Sequence, residues 1–436
     1  MSRSSRRAFL GTLGAAAVAL PELGSHPLRV GAGLAAAAPA AGQAAAAASY
    51  DLLIKGGRVI DAAQNLSAER DVAIANGKIA AVAANIPADR AKDVFDARGK
   101  LVTPGLINVH AHLYRYGNTI TVDPEPVGFP AGVTTAIDAG SAGANTFLGF
   151  RKFIIDTSPL RIYAMLNISI IGNYGNELYL NMSLINPTAA VRIINQHRDR
   201  ILAIKVRING IHDELAHDLE VLKKAREAAD ATGLPIMLHW TNEPDLLAIL
   251  KRGDILTHPF AILSPRMPNL FGGQPGAVLP QILALKERGI LTDGQTGSSH
   301  HLWDNSEKAS SQGWYPDLIS TDIGAQTPQT PNGQLLPWVM TQFLHLGLTV
   351  EQVIERVTLA PTKAFKFPEK VGTLEPGVTA DVTVIDLQEG NFELIDQQKN
   401  KRTARRKFVP VATVHGGTLT KIDPAAHTNP YAGVKL

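Results

Sequence analysis

The spacing of apolar positions changes character twice along this chain. From Tyr50 to Val102, apolar and polar residues alternate in short runs broken by turn residues, as in half-buried strands. Residues 51–61 read as a strand, a Gly56-Gly57 turn and a second strand. Residues 71–82 read as two strands around Asn76-Gly77, a pair suited to a tight hairpin because both residues tolerate positive φ. The same texture returns late in the chain, with a strand over 380–386 after Val371-Gly372-Thr373-Leu374-Glu375-Pro376-Gly377, and a hairpin over 408–420. Each piece is short for an independent sheet. The pattern therefore predicts one small composite β-sandwich domain built from both chain ends, residues 50–102 plus 370–425.

Between these stretches, from 103 to 369, short apolar runs alternate with helical patterns. Eight runs read as strands: 105–110, 133–138, 161–166, 201–206, 235–239, 254–258, 289–292 and 318–322. The clearest helix covers 213–231, where Leu215, Leu219, Leu222 and Ala229 fall near helical spacing with charges between them. Residues 351–356 and 361–365 add closing helices. Eight strands alternating with helices predict an α/β fold, a (β/α)8 TIM barrel. There is no internal repeat and no GxGxxG or P-loop sequence.

The first 48 residues follow a different rule. Ser5-Arg6-Arg7-Ala8-Phe9-Leu10-Gly11 is a twin-arginine pattern, followed by an apolar stretch and an Ala-rich tract of small residues. This predicts a signal read by the twin-arginine export machinery and a periplasmic or secreted protein. That route carries folded proteins, which suits a chain that loads a metal before crossing. No other run is long and apolar enough to span a bilayer.

Composition narrows the chemistry. The chain has 436 residues and a formal net charge of +3, too small to argue for a nucleic-acid partner. It has no cysteine, which removes disulfides, thiolate ligands and a cysteine nucleophile. Any metal must be held by histidine, carboxylate or something less usual.

The predicted strands end in polar residues. The first ends in His110 and His112, spaced so that both imidazoles leave one face of a strand. Two converging neutral imidazoles suit a divalent ion such as zinc. Lys205 stands in the apolar run 201–206, His239 and His258 end the fifth and sixth strands, and Asp322 ends the eighth. Taken singly, His239 and His258 read as structural histidines, Lys205 as a lysine snorkelling to solvent and Asp322 as a helix N-cap. Their shared position at one mouth of a barrel is what joins them.

Pro104-Gly105-Leu106-Ile107-Asn108-Val109-His110-Ala111-His112 resembles the first-strand signature of the amidohydrolase superfamily. Gly253-Asp254-Ile255-Leu256-Thr257-His258-Pro259-Phe260 and Pro316-Asp317-Leu318-Ile319-Ser320-Thr321-Asp322 resemble its deacetylase-type branch, which lies near dihydroorotases. The resemblance covers roughly 50–420 and implies a binuclear metal hydrolase. It implies a carbamate on Lys205, formed with CO2, bridging two divalent ions, with zinc the expected metal. It further implies His110, His112 and Asp322 on one ion and His239 and His258 on the other. Two ions sharing a water lower its pKa, so a metal-bridged hydroxide attacks the carbonyl of an amide or ester in a small-molecule substrate. Asp322 is then expected to accept the proton and pass it to the leaving group.

Departures from the family pattern bear on the substrate. Asparagine stands at 108, where relatives commonly carry aspartate, and Ile323-Gly324 follows Asp322 where that branch often has a histidine two positions on. Arg207, Tyr114 and Arg115 are candidates for binding substrate or solvated loop residues. His300 or His301 contacts substrate, or the pair lies at the surface; both readings stay open. The basic run Lys401-Arg402-Thr403-Ala404-Arg405-Arg406-Lys407 reads as a solvated loop. Rival readings are a lactonase or phosphotriesterase-like hydrolase, a cyclic amidohydrolase, and a non-catalytic scaffold. Self-association is left open.

Overall fold

Apolar alternation near the two chain ends produces strands β1 (Tyr50–Asp61), β2 (Leu66–Ala75), β3 (Lys78–Ala83), β4 (Ala91–Asp96) and β5 (Leu101–Pro104). The central stretch contributes β6 (Leu106–Ala111), β7 (Val133–Gly143), β8 (Arg161–Asn167), β9 (Ile201–Val206), β10 (Ile236–His239), β11 (Ile255–Thr257) and β12 (Leu291–Asp293). β13 (Val382–Ile395), β14 (Lys401–His415) and β15 (Thr418–Lys421) complete the chain. This computed structural model describes residues 49–175, 179, 181–208, 215–261, 270–271, 276–295, 300–325 and 335–423. The expected export signal, the start of the helix expected at 213 and residues 424–425 lie outside the described residues.

Strands β6 to β12 form a parallel sheet in the order β12-β11-β10-β9-β8-β7-β6. Every residue of β6, β7 and β9 is buried, as expected of parallel strands covered on both faces. The segment 318–323 joins the two edges of this sheet. Leu318 bridges Asp293 at the end of β12, and Ile323 bridges Ala111 at the end of β6, both in parallel register. The Leu318 N–H donates to the Thr292 carbonyl (3.0 Å) and the His112 N–H to the Ile323 carbonyl (2.8 Å). The parallel sheet is thus curled into a TIM-barrel-like fold.

The eighth strand expected over 318–322 is present only as these isolated bridges. The reason is local: Asp322 takes a left-handed backbone, φ 51°, which ends an extended run. His258 does the same after β11, φ 74°. Both departures fall at residues whose side chains are aimed into the mouth.

The strands from the two chain ends pair in the order β15-β14-β13-β5-β1-β2-β3, with β4 added to β1, in one eight-stranded sheet. The Asn76-Gly77 turn joins β2 and β3, with φ 51° and 71°. Gly56-Gly57 is not a turn. β1 continues through it with a register shift between Ile54 and Gly57, because β2 runs alongside on both sides of the pair and Gly56 absorbs the irregularity at φ 74°. The basic run 401–407 is not a loop either. It lies in β14 and pairs with β13 from Ile395↔Lys401 to Gln388↔Lys407, with Ala404 buried beneath its charged neighbours.

Candidate metal centre

The turn of the chain at the top of each barrel strand decides what faces the mouth. His110 lies near the end of β6 and His112 just beyond it. Asp322 reaches across from the closing segment, its Oδ1 3.1 Å from Nε2 of His110 and 3.1 Å from Nε2 of His112. Its Oδ2 lies 3.1 Å from Nδ1 of His300. One carboxylate therefore touches three imidazoles. Lys205, near the end of β9, is 2% exposed, and its Nζ lies 3.3 Å from His110 Nε2. The His258 ring is 5.3 Å from that of His110, 4.1 Å from His239 and 4.2 Å from His300, on which it stacks. The structure brings His110, His112, Lys205, His239, His258 and Asp322 into one cluster, with His300 beside them.

The donor set fits a divalent ion. Within each of two groups, His110–His258–Asp322 and His239–His258–His300, the ligand atoms lie within 4.8 Å of one another. His239 Nδ1 and His258 Nε2 are buried without a hydrogen-bond partner, which is costly unless something else meets them. Burial, with Arg207 and Lys205 nearby, holds the His239 imidazole well below its ordinary pKa. Burial and the neighbouring His239 and His300 do the same for His258. Both rings are therefore neutral, the form that ligates a metal. Burial opposes ionisation of Asp322, yet the imidazole contacts outweigh it and keep the carboxylate ionised far below the usual range. Burial pulls the Lys205 ammonium down to about 8 against the attraction of Asp322 and Asp293, so its free amine is far more accessible than that of a solvated lysine.

Residues outside the expected ligand set hold this cluster. Asp293, buried at the end of β12, places Oδ2 3.0 Å from His110 Nδ1. It also accepts from the hydroxyls of Thr257 (2.8 Å) and Ser320 (2.6 Å). With Nδ1 engaged, His110 presents Nε2 to the cluster, an arrangement that orients metal-binding histidines generally. Ser141 does the same for His112, 3.0 Å from its Nδ1. Asp138 accepts the N–H groups of Ser141 and Leu113, each at 2.7 Å, and so fixes the loop after β6. Asn108 donates to the Thr321 hydroxyl (2.8 Å), tying β6 to the closing segment. Gln295 contacts His258 Nδ1. Asp293 ends an apolar run as the ligand candidates do, and that shared position was the signal available for it. Ser141, Thr257 and Ser320 carry no pattern by which a sequence singles them out.

The remaining candidates fall elsewhere. Arg207 donates to Asn173 Oδ1 (3.1 Å) at the edge of the cluster, close enough to depress the His239 pKa. Tyr114 packs on Phe150, 4.8 Å between rings. Arg115 pairs with Asp123 (3.0 Å) and covers Tyr116. Neither Tyr114 nor Arg115 touches the histidines, Lys205 or Asp322 among the described residues. Of the pair 300–301, His300 faces the cluster. His301 turns away, buried with its Nε2 3.0 Å from the Ser306 hydroxyl.

A curled parallel sheet with histidines, a lysine and an aspartate gathered at one mouth defines a metal-dependent hydrolase acting on C–N bonds. The amidohydrolase family pattern matches residues 101–420, and the chain belongs to that family. It is 30% identical over 335 residues to a deacetylase of Brucella anthropi, covering 74% of this chain and 80% of that protein. It is 28% identical over 384 residues to a deacetylase of Enterococcus faecalis, covering 85% of this chain and 99% of that protein. Among solved structures it is similar to an adenine deaminase, with TM-score 0.77 and 26% identity, covering 86% of this chain and all of that one. A dihydroorotase gives TM-score 0.74 and 27% identity, covering 85% of this chain and 99% of that one.

Proposed function

We propose that this chain is an exported hydrolase that holds two divalent ions, zinc first among them, and cleaves an acyl C–N or ester bond in a small molecule. Removal of an acetyl group is the leading reaction. The observation that carries this reading is the Asp322 carboxylate set against three imidazoles, beside two buried imidazole nitrogens that lack partners. The deacetylase relatives, which span most of the chain, support the acyl group as the part removed.

In this reading His110, His112 and Asp322 hold one ion and His239 and His258 the other. Lys205 would add CO2 at its free amine and lose a proton, and the carbamate would replace a buried cation with an anion suited to holding divalent ions. The ions, when bound, polarise the substrate carbonyl and acidify the attacking water. Asp322 then takes the water's proton and returns it to the departing nitrogen or oxygen. Asp293 and Ser141, by engaging Nδ1 of His110 and His112, would leave Nε2 of each ring to face an ion. Export through the twin-arginine route rests on residues 5–11 and places the enzyme in the periplasm or outside the cell.

The test pairs metal analysis with a substrate screen of N-acyl amino acids, acyl esters, cyclic imides and lactones on zinc- and bicarbonate-treated protein. The expected outcome is close to two ions per chain and hydrolysis of an acyl amide or ester. Asp322→Asn should lower kcat by at least about 100-fold, the scale of a lost proton-transfer group. A variant that retains both metal and rate refutes Asp322 as the base. Hydrolysis of lactones alone would favour the rival chemistry.

A further inference from the structure

The long hairpin β13–β14 continues well past the sheet it starts from. Only Val382–Ile385 pair with β5, whereas β13 and β14 remain paired out to Ile395↔Lys401. A two-stranded ribbon is marginal by itself. This one lays Leu394, Ala404 and Phe408, all buried, against the barrel's apolar core. Phe408 N–H donates to the Thr341 hydroxyl (3.1 Å) in the helix Leu336–His345. Its tip, Asp396 to Asn400, arrives at the segment that follows His300.

The contacts there are specific. Gln397 N–H donates to the His301 carbonyl (3.0 Å). Asp396 Oδ2 accepts from the Trp303 N–H (3.2 Å). Trp303 opens the helix Trp303–Ser311, whose N-cap position is Leu302, a side chain with no acceptor to offer. Asp396 therefore caps that helix from 93 residues away, with a carboxylate at the favourable end of its dipole. Its Oδ1 meanwhile accepts from Gln398 and Asn400 N–H, each at 2.9 Å, and shapes the ribbon's own turn. Arg402 donates to both oxygens of Glu307 (2.6 and 2.9 Å) one turn along the same helix. One peptide before this clamp, His300 stacks on His258 and meets Asp322.

We infer that Asp396 is a positioning residue for the reaction: the ribbon tip fixes the backbone at His301 and Trp303 and so holds His300 against Asp322 and His258. The inference rests on the reading of His300 as part of the catalytic cluster. A misplacement of about 1 Å in such a group costs on the order of 100-fold, which gives the ribbon a functional reason to extend beyond its sheet.

Asp396→Asn tests it. The amide keeps one oxygen for the turn and presents an NH2 to the Trp303 N–H, so the clamp opens while the ribbon stays folded, as circular dichroism should confirm. Full-chain protein carrying D396N, H300A or both is assayed for kcat/KM on the acyl substrates. Ring resonances of 15N-histidine-labelled protein are recorded alongside, with His300 assigned from H300A. D396N should lower kcat/KM by roughly 10- to 100-fold, have under about twofold effect in the H300A background, and shift or broaden the His300 signal while that of His197, which packs on Phe147 and contacts Arg151, stays in place. Equal losses in both backgrounds, or an unmoved His300 signal, overturn the inference. Wild-type protein inert on every substrate would defeat the hydrolase reading instead, and the His300 signal alone would then decide this one. Should D396N misfold, Arg402→Gln loosens the same helix without touching the turn and is read by the same measurements.

Discussion

Lys205 shows how much of the site depends on a neighbour that contributes no chemistry. A Cβ at Gly140 would lie 2.5 Å from Lys205 Cβ and 2.7 Å from its Cγ, and Gly140 sits at φ 84°. The glycine therefore makes room for the lysine stem and takes a backbone geometry that other residues avoid. Gly140→Ala should cost about 2–4 kcal/mol from overpacking and positive φ together. It should also push Lys205 off the cluster, so that the purified variant binds less than half the metal of the parent. Urea midpoints and metal analysis read the two effects separately, and normal metal content would show that Lys205 does not need this gap. The histidines, Lys205 and Asp322 were legible in the sequence because each lies at or near the end of an apolar run, and barrel topology turns that position into a common mouth. His300 was not separable from His301 by the same reasoning. Two adjacent histidines after a strand look alike until the fold turns one to Asp322 and the other to Ser306.

At the level of elements, seven of the barrel strands fall close to where apolar runs placed them, since a strand covered on both faces leaves a continuous apolar signature. The eighth did not form a regular strand, and Asp322 at its end leaves the extended region. The β13–β14 ribbon was the least legible part. Charge on both alternating faces of 401–407, with Arg402 and Arg406 in line with Ala404 and Phe408, concealed a strand whose apolar members are buried against distant residues. Local composition reports the charge, and only the tertiary partner reveals the burial. That ribbon should depend on its anchor more than on its hydrogen-bond ladder. Phe408→Ala removes a ring that is 1% exposed and should destabilise the protein by about 3–5 kcal/mol. The amides of Leu394 and Asp396 should lose hydrogen-exchange protection before those of β6 and β9. Uniform loss of protection would mean that the ribbon and the barrel open together.

Across the whole molecule, polar contacts tie the sheet built from the two chain ends to the barrel, and Asp381 gathers several of them at one junction. Its carboxylate meets Arg161 at the start of β8 and lies 3.0 Å from His415 Nδ1 near the end of β14. It also accepts from the Gly416 N–H (3.1 Å), while its own carbonyl accepts from Gly105 N–H at the entry to β6 (2.9 Å). Burial alone would raise the Asp381 pKa, but the His415 contact and the Arg161 guanidinium outweigh it and hold the group below its ordinary value. A carboxyl whose folded pKa is depressed binds its proton more readily in the unfolded chain. Its contribution to stability is therefore complete above about pH 4, the unfolded value, and is lost as pH falls through the lower folded value. Asp381→Asn should lower stability near neutral pH by about 3 kcal/mol, since among the described residues it leaves Arg161 buried with Glu369 as its remaining ionic partner. The gap between parent and variant should narrow steadily below about pH 4, where the parent's carboxyl also becomes neutral. Urea midpoints taken at neutral pH and near pH 3 give both numbers. A difference that stays constant with pH would mean that shape at this junction, rather than charge, joins the barrel to the sheet.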